Sequence, residues 1–165
     1  MKTLFILRHA KSSWDQPDLA DIDRPLNKRG MRDAPRMGEW MCQQKLIPDV
    51  IASSPANRAR TTARLIAEAC AYKGEIKLVN DFYGEGAQAY LRWLRDLPEQ
   101  YNTVLVIGHN PDLEALLTIL TGLEEPLPTA ALAQVKLSLK RWAALSESPA
   151  GKLIKVWRPK ELPKE

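Results

Sequence analysis

Histidine is scarce in this 165-residue chain, which has only His9 and His109. Cysteine is equally scarce: Cys42 and Cys70 stand alone, with no CxxC spacing and no histidine beside either. A disulfide framework is therefore not expected, and both thiols are expected to be free. No apolar run approaches the length of a membrane span. Arg8 arrives too early for the apolar core of a signal peptide, so the expected compartment is cytoplasmic. The chain lacks a dense basic run and any alternation of aromatic and basic residues. The excess of 24 Lys and Arg over 20 Asp and Glu, a net +4, is thus no sign of nucleic-acid binding. It is a mild bias toward anionic substrates. The basic tail Lys152–Lys164 reads as a solvated edge strand and a frayed end. Repeats and linkers are absent. With 45% hydrophobic and 27% charged residues, residues 1–165 are expected to form one domain with a real core.

Both histidines end the same kind of segment. Leu4-Phe5-Ile6-Leu7 is an unbroken apolar run closed by Arg8-His9, and Val104-Leu105-Val106-Ile107 is closed by Gly108-His109. Such runs read as strands buried on both faces. In open α/β sheets, ligands sit beyond the carboxyl ends of these strands, so Arg8, His9 and His109 are delivered to one edge.

The rest of the chain alternates strand and helix signals. A polar loop over 11–25 carries turn formers and Trp14, which either walls the pocket or covers a core edge. Asn27 is the expected N-cap of a helix reaching about Lys45, with Met31, Ala34, Met37 and Met41 at core spacing. Pro35 should kink that helix or mark its first turn. Val50–Ser53 is a short strand. Ser54 as cap with Pro55 at the first helical position should start the next helix, whose buried face is Ala59, Ala63, Ile66 and Cys70. Ile76–Val79, Ala87–Leu97 and Thr103–Ile107 follow as strand, helix and strand. Asn110-Pro111 repeats the cap-then-proline start for a helix bearing Leu113, Leu116, Leu117 and Leu120 and closed by Gly122. Ala131–Leu139 and Lys152–Arg158 alternate apolar and polar, which predicts an antiparallel strand pair. The expected fold is a three-layer α/β/α sandwich with a mostly parallel central sheet and an antiparallel C-terminal pair.

The residues converging on the carboxyl edge are Arg8, His9, Lys11, Arg58, His109 and Asn110, with Glu85 and Asp81 in a nearby loop. Several cations around two imidazoles suit an anion, and paired guanidinium N–H groups suit phosphate in particular. Histidine can serve phosphate as a general base on water or as a nucleophile that becomes phosphorylated. There is no P-loop, no CxxxxxR and no HExxH, so the common thiol and zinc routes have no sequence support.

These segments carry a resemblance. Leu7-Arg8-His9-Ala10 resembles the RHG motif of the histidine phosphatase superfamily, with alanine in place of glycine. Arg24-Pro25-Leu26-Asn27-Lys28-Arg29-Gly30 is similar to its RPLxxxG segment. Ser53-Ser54-Pro55-Ala56-Asn57-Arg58-Ala59 continues into Arg60-Thr61-Thr62-Ala63 and resembles SPxxRAxxTA; Gly108-His109-Asn110-Pro111 resembles GHNP. The small SixA-like phosphohistidine phosphatases, which use RHA and lack a helical insertion, are the most similar branch. The resemblance implies a phosphoglycerate mutase-like fold and a hydrolase that needs no metal or cofactor. It also implies that His9 is the nucleophile, that Arg8, Arg58 and His109 form the phosphate pocket, and that Lys11 and Asn110 line its rim. The general acid of larger members has one candidate here, Glu85, with Asp81 behind it.

A poorly placed acid favours a substrate whose leaving group is good without one. Phosphohistidine can leave as neutral imidazole, whereas an alkyl phosphate must expel alkoxide. The first reading is therefore a phosphatase for phosphohistidine on a signalling or phosphotransfer protein. The alternatives are a phosphatase for a small phosphorylated metabolite and a non-catalytic phosphate-binding module. Neither a nucleic-acid nor a membrane partner is expected.

Overall fold

In the computed structural model, which describes residues 1–163, a six-stranded sheet runs in the order β3-β2-β4-β1-β5-β6. The strands are β1 (Lys2–Arg8), β2 (Val50–Ser53), β3 (Ile76–Leu78), β4 (Thr103–Gly108), β5 (Leu132–Leu137) and β6 (Gly151–Trp157). The helices are α1 (Lys28–Gln43), α2 (Asn57–Ala69), α3 (Ala87–Arg95) and α4 (Asp112–Thr121). The first four strands are parallel; β5 and β6 form the expected antiparallel pair at one edge. Among the described residues no helix is long and apolar enough to cross a membrane. Lys164, the end of the expected basic tail, lies outside the described residues.

The apolar runs of β1 and β4 are buried because both faces of the sheet are covered. Leu4 and Ile6 join Val104 and Val106 in a core packed by α3 and α4. Phe5 and Leu7 join Leu105 and Ile107 under α1 and α2. Each such side chain contributes about 1.5–3 kcal/mol by leaving water. The helices that follow β1 and β4, adjacent strands, therefore go to opposite faces. The chain parts between their carboxyl ends, and that is where an α/β sheet opens a crevice.

Helix starts differ from expectation in two places. Asn27 caps α1 as expected, its Oδ1 accepting from the Gly30 N–H at 2.9 Å. By contrast α2 begins at Asn57 after Ala56, not at Pro55; the Ser54 hydroxyl accepts from the Ala56 N–H at 3.2 Å and also meets His109 Nε2. Likewise α4 begins at Asp112 with no side-chain cap, since Asn110 bonds elsewhere. Met31 is exposed, one step beyond the edge of the α1 stripe made by Gly30, Ala34, Met37 and Met41. Pro35 lies inside α1, which continues through it. Cys70 is buried and Cys42 exposed, both free.

Two motif glycines are explained by close approach. A Cβ on Gly30 would run into the Lys11 carbonyl, and one on Gly108 would run into the Tyr90 hydroxyl. Gly108→Ala should therefore cost about 1–3 kcal/mol by overpacking. Tyr90→Phe in the same chain should restore part of that loss. Chemical denaturation of the two single variants and the double variant checks this; a double variant no better than the sum of the singles would place the clash elsewhere.

Candidate active site

Arg8 of β1 lies in register with Gly108 of β4, and the His9 N–H donates to the Gly108 carbonyl at 3.1 Å. The two imidazoles that follow are consequently neighbours, with ring centroids 5.1 Å apart and planes tilted by 53°. Both rings are buried.

His9 Nδ1 lies 2.7 Å from the Ala10 carbonyl oxygen. A carbonyl only accepts, so Nδ1 carries the hydrogen and the neutral ring keeps its lone pair on Nε2. Nε2 has no hydrogen-bond partner among the described residues, and it is not among the buried polar atoms left unpaired. The backbone here is pinned to α2: the Ala10 N–H donates to Thr62 Oγ1 at 3.0 Å, and that hydroxyl donates to the Arg58 carbonyl at 2.7 Å. On the other side the Ala130 N–H is shared by the Arg8 and His9 carbonyls, at 3.0 and 3.1 Å, with Ala130 in the left-handed region at φ 62°.

The cations around the rings are held from outside. Arg8 Nη1 donates to the Leu127 carbonyl at 3.1 Å, while its buried Nε has no partner. Glu114 supports this arrangement: its Oε2 accepts from the Leu127 N–H at 2.7 Å and from Asn110 Nδ2 at 2.8 Å. Asn110 thus latches the 122–131 loop, and its own Oδ1 is buried without a partner. Arg58 donates through Nη1 to the Asp21 carbonyl at 2.7 Å and through Nη2 to Asp21 Oδ2 at 2.9 Å. The same Oδ2 accepts from the Tyr83 hydroxyl at 2.6 Å, and Arg24 Nη1 donates to Oδ1 at 3.0 Å. Trp14 is 72% exposed and stacks on the Arg24 guanidinium, 3.4 Å from its ring centroid, so it covers no core edge. His109 Nε2 lies 2.8 Å from Ser54 Oγ, its Nδ1 is buried without a partner, and Tyr83 meets its ring edge-on.

Burial and the facing cations decide the charge of the rings. His9 is pushed down to about 3, chiefly by burial, with His109, Arg58 and Arg8 adding repulsion. His109 is pushed down to about 4, again first by burial and then by Arg58. Asp21 is held far below the usual carboxylate range, first by the Tyr83 hydroxyl and then by Arg24 and Arg58. Burial lowers Arg8 against the attraction of Glu114. The site therefore presents two neutral imidazoles among fixed cations. Unpaired buried nitrogens lie on Arg8 and His109, the residues adjoining His9 in sequence and in space.

Of the residues expected at the site, Arg8, His9, Arg58 and His109 are brought together. Lys11 is half-buried at the margin, where its carbonyl accepts from the Asn27 N–H at 3.0 Å; its ammonium makes no hydrogen bond among the described residues. Glu85 is exposed and, among the described residues, makes neither a hydrogen bond nor an ion pair; Asp81 is exposed too. Nothing holds a carboxylate of that loop on the imidazoles. Sequence reasoning missed Asp21, Tyr83, Ser54, Thr62 and Glu114. Asp21 reads locally as a turn former and Ser54 as a helix cap, so neither signalled its long-range partner.

The sequence match that bears on identity covers residues 4–83, which fit the model of the histidine phosphatase superfamily, branch 1. An uncharacterised protein of Mycobacterium tuberculosis is 31% identical over 152 residues, covering 83% of this chain and 90% of the relative. A crystal structure from Agrobacterium tumefaciens, provisionally designated a phosphohistidine phosphatase SixA, superposes with a TM-score of 0.82 at 27% identity, covering 96% of this chain and 98% of that one. The chain belongs to the histidine phosphatase superfamily. Within it the likeness is to SixA. A protein histidine phosphatase SixA in complex with tungstate shares the fold at a TM-score of 0.84 and 23% identity, over 98% of this chain and 99% of that one.

The depressed histidines have a direct consequence for this superfamily member. The folded rings stay neutral below pH 6.5, where unfolded histidine takes up protons. Between about pH 6.5 and about 4 the unfolded chain binds more protons, so stability falls as the pH is lowered through that window. In a proton NMR titration of the ligand-free protein, neither imidazole should titrate between about pH 8 and 5. A midpoint near 6.5 for either ring would mean that water reaches it freely.

Proposed function

We propose that the chain is a phosphatase that removes the phosphoryl group from phosphohistidine on a signalling or phosphotransfer protein, through a covalent phosphohistidine on His9. The observation that carries this reading is the Ala10 carbonyl on His9 Nδ1, which leaves Nε2 as the lone pair of a neutral ring. Nε2 attacks phosphorus and the substrate's P–N bond breaks. The departing imidazole is neutral when its other nitrogen bears hydrogen. Water then attacks phosphorus, the Nε2–P bond breaks, and His9 leaves as neutral imidazole because the proton on Nδ1 has stayed against the Ala10 carbonyl. Arg8 and Arg58 neutralise the oxygens of the transferring group, the main contribution a protein makes to phosphoryl transfer, and the uncharged His109 offers its unpaired Nδ1 as a hydrogen-bonding group beside them. The tungstate held by the fold neighbour, a tetrahedral oxyanion of phosphate's shape, accords with this.

Two further features favour a protein-borne N–P substrate. Neither Glu85 nor Asp81 is fixed on the site, so an alkoxide leaving group would find no placed acid. Among the described residues, the connections leaving β1, β2, β3 and β4 at this edge contain no helix beyond single 3-10 turns at Asp21–Asp23 and Asn80–Phe82, so no inserted helix encloses the crevice, which suits a side chain presented by another protein.

The test compares wild type with His9→Ala on a phosphohistidine-bearing protein and on p-nitrophenyl phosphate, with and without a chelator. The expected outcome is chelator-insensitive loss of phosphohistidine, faster than ester hydrolysis, falling on the order of 10³-fold or more in His9→Ala. Good ester turnover with no action on phosphohistidine would favour a small-metabolite phosphatase. Activity surviving in His9→Ala would overturn the role of His9.

A further inference from the structure

A groove of about 400 Å³ lies beside the active site on the same edge of the sheet. It is lined by Arg29, Arg32 and Arg36 of α1, by Arg158 and Lys160 after β6, and by Asp33. Its position follows from the topology. Helix α1 starts at the carboxyl edge just after the loop that leaves β1, and β6, running parallel to β1, ends there too. Leu7 pairs with Leu132, and Leu132 pairs with Trp157, the residue before Arg158. Thr129 also lines the groove, and the next residue, Ala130, donates its N–H to the His9 carbonyl.

The cations of this groove exceed what the fold needs to neutralise its own carboxylates. Arg158 is engaged by Glu125 at 2.6 Å and by Glu161 at 3.2 Å. Arg29, Arg32 and Arg36 share only Asp33, whose side chain is 3% exposed, at 3.5, 3.6 and 3.8 Å. Those separations are longer than hydrogen bonds, and among the described residues none of these three guanidiniums donates one. Each has five N–H groups in a planar fork that matches a carboxylate. Arg29 and Arg32 are 48% and 65% exposed, so the forks are open to solvent. From Arg29 to Arg36 is two helical turns, about 10 Å. That spread suits a row of carboxylates on another surface better than one compact anion.

We propose that this arginine groove docks an acidic face of the phosphorylated protein whose phosphohistidine reaches His9. The inference rests on the phosphoprotein reading above and adds what the partner must carry: exposed aspartates and glutamates beside the phosphorylated histidine. Complementary charge of this kind acts mainly on encounter and orientation, and salt screens it.

The test uses Arg32→Glu/Lys160→Glu, which reverses one charge on each wall and leaves Arg29 and Arg36 around Asp33, with Arg32→Gln/Lys160→Gln as the milder variant. The substrates are a net-negative histidine-phosphotransfer domain phosphorylated on histidine, and the free amino acid phosphohistidine. At low salt the charge-reversed variant should lose about tenfold in kcat/KM on the protein, carried by KM, with the glutamine variant between it and wild type. The difference should shrink to about twofold or less at high salt. Turnover of free phosphohistidine, assayed below the melting transition, should be unchanged, although Arg32→Glu lowers the melting temperature by placing a carboxylate beside Asp33 and Arg32→Gln lowers it less. Equal rates for wild type and both variants on the protein would overturn the groove while the phosphatase reading stands. Equal losses on both substrates would also overturn it, because the charges would then be acting on the site itself. Wild type that turns over free phosphohistidine but not the protein would remove the phosphoprotein reading, and the docking role with it.

Discussion

The parallel pairing of β1 with β4, with Arg8 opposite Gly108, is the constraint on which the site depends. A slip of one residue would move one strand by about 3.3 Å along the other and turn its alternate side chains to the opposite face. His9 and His109 would then no longer be neighbours, and Leu4 and Ile6 would trade cores with Phe5 and Leu7. The register is held because those two sets pack against different helix pairs. It is held again at the strand ends, where the Tyr90 hydroxyl leaves room only for Gly108. The core therefore sets the spacing of the two imidazoles before any polar contact is made.

Around that pair the polar groups divide the work. Glu114 and Asn110 fix the 122–131 loop, and its Leu127 carbonyl fixes Arg8. Asp21 fixes Arg58 through its own carbonyl and its carboxylate. These contacts occupy two of the five N–H groups of Arg58, so the acidic residue orients the guanidinium and leaves donors for an anion. Tyr83 joins the two halves, donating to Asp21 and presenting its ring edge to His109.

How much of this could be read in the sequence follows from the range of each interaction. β1 and β4 were legible because burial on both faces writes an unbroken apolar run, the β5–β6 pair because apolar and polar residues alternate, and α4 because its leucines recur at helical spacing and end at Gly122. Met31 was misplaced by one step of a stripe, an error that periodicity alone does not resolve. The gathering of Arg8, His9, Arg58 and His109 was legible because each lies at or just beyond the carboxyl end of a strand. Their supports were not. Asp21 meets Arg58 and Tyr83 across 37 and 62 positions, and no local pattern records such a pairing. Ser54 before Pro55 has the appearance of a helix start, and its hydroxyl does accept from the Ala56 N–H, yet it also meets His109, 55 positions away. Glu85 lies in the loop after β3 and is exposed; a loop position does not fix where a carboxylate rests.

The choice of a carbonyl for His9 Nδ1–H has a consequence for the chemistry. A carboxylate there would favour the imidazolium strongly; the Ala10 carbonyl fixes the tautomer and raises the pKa of the ring without adding a full negative charge, and burial outweighs that rise. Burial and the neighbouring cations then keep the free ring neutral, so Nε2 needs no base to deprotonate it before attack. In the proposed reaction, a phosphoryl group bonded to Nε2 would set its negative oxygens against the same arginines and offset the charge of a ring that still holds its Nδ1 proton. The environment that disfavours the free imidazolium thus tolerates the phosphorylated one. In the proposed reaction the protonated, phosphorylated ring is also the form that leaves most readily when water attacks, which lets the second half of the cycle proceed without a placed carboxylic acid.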